Sequence, residues 1–178
     1  MVPMRSKGRA AYDNVYCVAK FRVAQNNFHM IKKPKLQFCP WMRWEERKHY
    51  PQRKLPGVYM LAIINKPLNG KTPRFEDVKY IGMTNAKGGL ISRWNQFNNS
   101  IHGKFGHSGG KSVFKDLKNY KTWKEKLFVC ALPVKCSVSK DIRTPQDLIK
   151  MGWIAFLEYE ALSKYRELFK EEPKYNTK

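Results

Sequence analysis

The stretches GVYMLAII (residues 57–64) and VKYIG (residues 78–82) decide how this chain folds. Both are short apolar runs dense in β-branched and aromatic residues, and the segment between them, Asn65 to Asp77, carries Pro67, Gly70 and Pro73. This punctuation predicts two strands of a hairpin joined by a long connection. Beyond them, Gly88 and Gly89 precede LISRWNQF, where Leu90, Trp94 and Phe97 share one helical face and Arg93 borders it. KFGHSGGK (104–111) reads as a glycine-rich loop, Ser112 to Tyr120 as a helix, KLFVCAL (126–132) as a third strand and Pro145 to Lys170 as a long helix. Residues 57–178 are therefore expected to form an α+β domain, a three-stranded mostly antiparallel sheet flanked by helices.

Upstream, residues 1–56 hold 13 basic and 3 acidic residues. Val15 to Val23 (VYCVAKFRV) has the composition of a strand, whereas Lys32 to Lys54 mixes Pro34, Pro40 and Pro51 with Trp41, Trp44 and basic residues. The reading is a basic N-terminal arm or subdomain over 1–56. Its Lys32 to Lys54 part either follows a phosphate backbone or packs on the core. Trp41, Trp44 and Trp94 are packing residues or wedges between bases.

The 178 residues carry 35 Lys and Arg against 14 Asp and Glu, a net charge of +21. With 42% hydrophobic residues the chain can bury a core, so it is not a disordered basic tail. An excess of this size calls for a polyanionic partner, nucleic acid before an anionic membrane. No long amphipathic basic helix supports the membrane, and no apolar run has the length to span one. The opening MVPMRSKGRAAYDNVY lacks the apolar stretch of a secretory signal. An intracellular protein, cytoplasmic or DNA-associated, is expected. Cys17, Cys39, Cys130 and Cys136 have neither paired spacing nor matching histidines, and read as reduced thiols, mostly buried.

On the long helix, Ile154, Leu157, Ala161, Leu162, Tyr165, Leu168 and Phe169 fall on one apolar arc, with Glu158 inside it. Glu160, Ser163, Glu167 and Lys170 lie opposite. A carboxylate on a core-facing stripe costs several kcal/mol unless paired, neutralised or bound to a cation. Glu158 is thus a structural ion-pair partner, a metal ligand or a catalytic group. Two other motifs fail: GHSGGKS lacks the spacing of a phosphate-binding loop, and Asp77-Val78-Lys79 has no upstream aspartate except Asp13.

Gly57-Val58-Tyr59 and Tyr80-Ile81-Gly82, one on each hairpin strand and followed by a helix arginine, resemble the GIY-YIG nuclease family. The resemblance runs from Gly57 to Asn176. It matches Arg93 to the family's helix arginine, Glu158 to its metal-binding glutamate, and Pro173 to Asn176 to its closing turn. Members often carry a histidine or tyrosine one helical turn after the arginine, where this chain has Phe97. The substitute is then His107, or else His102, from the glycine-rich region. The 21-residue spacing from Tyr59 to Tyr80 exceeds that of compact members, a cheap loop extension.

The resemblance implies a DNA endonuclease that hydrolyses phosphodiester bonds with one Mg²⁺ (or Mn²⁺) per active site, held by Glu158. Tyr59 is the implied general base, and an ordinary phenol pKa of about 10 means that it needs help from Lys79, Arg93 or the metal. Tyr80 would position the water or phosphate, Arg93 would stabilise charge on phosphorus, His107 would complete the set, and Asn176 would fix the wall of the site. Lys79, Lys87, Lys104 and Lys111 are the expected contacts to double-stranded DNA. Restriction and repair or recombination are both open, and cutting two strands requires a homodimer or two visits. The alternative is a non-catalytic nucleic-acid-binding protein on a decayed scaffold of this family.

Overall fold

The computed structural model describes residues 32–176, and the chain from Lys32 onward forms one compact unit. The strand expected at Val15 to Val23 lies outside the described residues. Four strands, β1 (Met42–Arg43), β2 (Gly57–Ile63), β3 (Val78–Thr84) and β4 (Leu127–Pro133), form an open antiparallel sheet in the order β1-β4-β2-β3. The expectation of three strands is therefore corrected to four. Two residues of β1 are too few to show a period, and the prolines around them mask the pairing with Phe128 and Val129.

The long-connected hairpin is β2 paired with β3, with Tyr59 opposite Gly82 and Leu61 opposite Tyr80. The next partners are Ala62 and Val78, so Lys79 is the extra residue of a bulge. Both central strands, β2 and β4, are buried along nearly their whole length. Helices cover the two faces of the sheet. Val58, Met60 and Ile81 pack with Ile154, Leu157 and Ala161 of α3 (Pro145–Phe169) on one side. Tyr59, Leu61 and Tyr80 pack on the other side with α1 (Gly89–Ile101) and Val113 of α2 (Ser108–Leu117). The period-two alternation of β2 thus serves two cores at once.

Of the two readings of Lys32 to Lys54, packing on the core is the one observed for its tryptophans. Trp41 joins the α3-side core and Trp44 the α1-side core, and neither is exposed. Trp94 is equally buried, so none of the three can act as a wedge. The same stretch completes α1, because the Leu90 and Ile91 amides donate to the carbonyls of Leu55 (2.9 Å) and Arg53 (2.8 Å). These are first-turn N–H groups that a helix cannot satisfy internally.

α2 begins at Ser108, four residues before the expected start, so SGGK is the first turn of a helix and not a loop. Two glycines argue against a helix on propensity, but close packing on α1 and the sheet overrides it. α3 starts where proline and a capping box place it: the Thr144 hydroxyl accepts from the Asp147 amide, and the Asp147 carboxylate accepts from the Thr144 amide. Leu168 lies on the apolar arc but is 61% exposed, whereas its neighbour Phe169 packs against the core. Of the described cysteines only Cys130 is buried; Cys39 is exposed and Cys136 intermediate, which corrects the expectation of mostly buried thiols. Among the described residues no helix is long and apolar enough to cross a membrane.

The outer edge of β3 is closed by the C-terminal turn. The Tyr175 amide donates to the Lys79 carbonyl (3.0 Å), and the Asn176 side chain donates to the Ile81 carbonyl (2.7 Å) and accepts from the Ile81 amide (2.8 Å). This covers edge groups that would otherwise template another strand. Asn176→Ala strips both side-chain bonds and is expected to cost about 1–3 kcal/mol, read from urea denaturation. An unchanged midpoint would show that the clamp does not hold the edge.

Candidate active site

The alternation of β2 and β3 sends Tyr59 and Tyr80 to the same side of the sheet, with ring centroids 5.9 Å apart. His107, the residue immediately before α2, enters between them. Its Nε2 lies 3.0 Å from the Tyr59 hydroxyl and 3.3 Å from the Tyr80 hydroxyl. The His107 amide donates to Ser100 Oγ on α1 (2.5 Å), which holds the loop in place. Phe97 walls the cluster, 6.0 Å from the Tyr80 ring and 5.5 Å from the imidazole, centroid to centroid.

Two glycines make this approach feasible. A Cβ at Gly82 would come within 2.7 Å of Tyr80 Cε1 and 3.0 Å of Tyr59 Cζ, and one at Gly109 within 2.5 Å of Tyr80 Cε2. Any side chain at either position would displace the Tyr80 ring.

Burial, and then the neighbouring Tyr80, pushes the Tyr59 phenol well above its ordinary pKa, while Arg93 pulls the other way. Burial pushes Tyr80 up to about 12, opposed by Arg93 and by its hydrogen bond with Tyr59, with Glu158 adding to the rise. His107 is pushed down to about 3, first by burial and then by Arg93. At neutral pH the cluster is two phenols and a neutral imidazole. With the ring proton on Nδ1, the Nε2 lone pair faces both hydroxyls.

Arg93 projects from α1, its Nη1 donating to Gln96 Oε1 (3.0 Å). Its Nε is buried with no hydrogen-bond partner among the described residues. The side chain lines a groove of about 280 Å³ with Thr84, Asn85 and Gln96, which leaves guanidinium donors available to an anion entering there. Glu158, 9% exposed on α3, acts electrostatically on Tyr80. Among the described residues no three His, Cys, Asp or Glu side chains gather as a metal cage.

The chain was compared with protein-family models, curated proteins and solved structures. It matches none of them.

Of the residues singled out from sequence, Tyr59, Tyr80, Arg93 and His107 thus lie in one cluster, with Glu158 close enough to Tyr80 to shift its titration. Asn176 binds the backbone of Ile81, next to Tyr80. His102 lies elsewhere, bonded to the Asn98 carbonyl (2.7 Å) with its ring tilted against that of Tyr120. The lysines are dispersed. Lys87 precedes α1 and Lys104 follows it, separated by 13 helical residues or about 20 Å. Lys111 lies near Lys104, beside Phe105, and Lys79 sits at the bulge of β3. Sequence reasoning missed Ser100 and Gly109. The only signal for Ser100 is its place one turn after Phe97, and Gly109 was read as a loop residue.

The depressed pKa of His107 has a signed consequence. Between pH 6.5 and about 3 the unfolded chain binds a proton that the folded chain refuses, so this contribution to stability is complete above pH 6.5 and is lost as pH falls through that window. In urea titrations at pH 7, 5.5 and 4.5, His107→Gln should lose less stability with acid than the parent. Equal losses would mean that His107 is not held neutral.

Proposed function

We propose that this protein is a metal-dependent DNA endonuclease of GIY-YIG type, hydrolysing phosphodiester bonds. The observation that carries this reading is the convergence of the Tyr59 and Tyr80 hydroxyls on His107 Nε2, within the field of Arg93 and, at Tyr80, of Glu158. A purely structural core has no need of three titratable groups placed so. Phe97, whose presence suggested a decayed scaffold, is a wall of the pocket into which His107 brings a hydrogen-bonding group.

A single carboxylate, Glu158, fits a Mg²⁺ or Mn²⁺ that keeps most of its water and takes its other ligands from phosphate; it does not fit a caged zinc. When bound, the ion neutralises charge on the phosphate and the leaving oxygen. Tyr80 retains 8% exposure while Tyr59 has none, so Tyr80 is the phenol that orients an incoming water or phosphate. Tyr59 acts behind it as the base, taking the proton of the water through the Tyr80 hydroxyl, with which it is hydrogen-bonded. His107, neutral at pH 7, accepts a hydrogen bond from the Tyr59 hydroxyl and orients it, and Arg93 favours the phenolate form of Tyr59. Arg93 also stabilises charge building on phosphorus.

Duplex DNA is the proposed substrate, bound through Lys79, Lys87, Lys104 and Lys111. Four phosphate contacts correspond to a fall in affinity of about 150-fold between 50 and 200 mM salt. A flat salt response in a binding titration would remove the basis of this interface.

Supercoiled plasmid with Mg²⁺ tests the chemistry. Tyr59→Phe and Glu158→Ala should each cut at least about 100-fold more slowly than the parent, while still binding duplex in EDTA. Turnover at the parental rate would refute the role of the residue changed. Tight, salt-sensitive binding by a parent protein that cuts no DNA would favour the non-catalytic reading.

A further inference from the structure

Trp41, Trp44 and Trp94 are buried, but one aromatic side chain beside the site is not. Phe105, two residues before His107, is 89% exposed at the turn between α1 and α2. Lys111 Nζ lies over its ring, 4.5 Å from the centroid, a cation–π contact that fixes one face. The other face is open. Beside it is a shallow, mostly apolar hollow of about 310 Å³, floored by Gly103 and the Phe114 ring and rimmed by Lys104, Lys111 and Lys115. Phe105 is the most exposed of the large hydrophobic side chains among the described residues, and with the adjoining apolar hollow it offers a contiguous surface whose burial by a partner would be favourable.

The chemistry of the patch selects its occupant. A flat apolar surface bordered by three ammonium groups suits a ligand that is aromatic in the middle and anionic at both ends. An unstacked nucleobase between its own 5′ and 3′ phosphates has this form. Base–aromatic stacking tolerates any sequence, and the flanking phosphates supply charge complementarity to the lysines. An apolar protein segment would leave the ammonium rim unanswered.

We propose that Phe105 and the hollow beside it form a stacking subsite for one unpaired DNA base in the nucleic acid whose phosphate Tyr80 orients. This rests on the nucleic-acid reading above and extends it: the preferred substrate is DNA with a base out of the helical stack, at a bulge, flap or junction, in preference to a fully paired duplex.

The test uses a short duplex with a single extrahelical 2-aminopurine and its fully paired counterpart, titrated in EDTA so that binding is read without cleavage. The full chain should prefer the bulged duplex and quench its fluorescence. Phe105→Ala, at an exposed position that folding does not need, should reduce that preference about tenfold, and Phe105→Trp should keep it. No preference in the parent, or an undiminished preference in Phe105→Ala, overturns the subsite. Loss of preference in Phe105→Ala together with no Mg²⁺-dependent cleavage of any substrate upholds the subsite and defeats the nuclease reading. Cleavage with an undiminished preference in Phe105→Ala does the reverse.

Discussion

His107 Nε2 lies 3.0 Å from one phenol and 3.3 Å from another in a layer that is almost wholly buried. Polar groups taken out of water there cost free energy unless they satisfy each other. The imidazole meets that demand only in part, because its single Nε2 lone pair is shared by two hydroxyls and its buried Nδ1 has no hydrogen-bond partner among the described residues. To bring it in, α2 must start early, Ser100 must hold the His107 amide, and Gly82 and Gly109 must leave room for the Tyr80 ring. Phe97 and Trp44 then complete a continuous aromatic wall, their rings 5.4 Å apart. The geometry of the α1 side of the sheet follows from accommodating this junction.

Such a junction is electrostatically poised. Burial alone drives both phenols and the imidazole to their neutral forms, which is stable but chemically idle. Arg93 works against burial at both tyrosines, favouring phenolate, and with burial at the histidine. One cation therefore acts on the proton affinities of three groups. Several of the few carboxylates elsewhere are engaged in ion pairs, including Lys33 with Glu160, Lys66 with Asp77 and Lys174 with Asp116. With 35 basic residues against 14 acidic ones, most cations have no carboxylate to meet.

Much of the fold was legible because its signals are local. The apolar runs at residues 57–64 and 78–82 became β2 and β3, and the capping box and proline at residues 144–147 started α3 where expected. The position of Glu158 on an apolar helical arc also held, as a buried carboxylate. Local signals failed where packing overrode them. β1 exists only because β4 offers it an edge, and the first turn of α2 is helical despite two glycines because it is pressed against Tyr80 and Phe97. Leu168 is the opposite case, lying on the right arc yet exposed.

The sequence by itself determined the α+β class, the strongly basic character and the identities of the chemically unusual residues, because composition and periodicity follow from the order of side chains along one chain. Only the tertiary structure decided which of those residues meet. On paper His107 is the first choice and His102, five residues away, the second; in the structure His102 binds the carbonyl of Asn98 while His107 reaches the tyrosines. On paper Trp44 is either a packing residue or a wedge, and the structure buries it, whereas Phe105, which no sequence signal singled out, is 89% exposed. Contacts between residues distant in sequence depend on how layers pack, and that is a property of the whole fold.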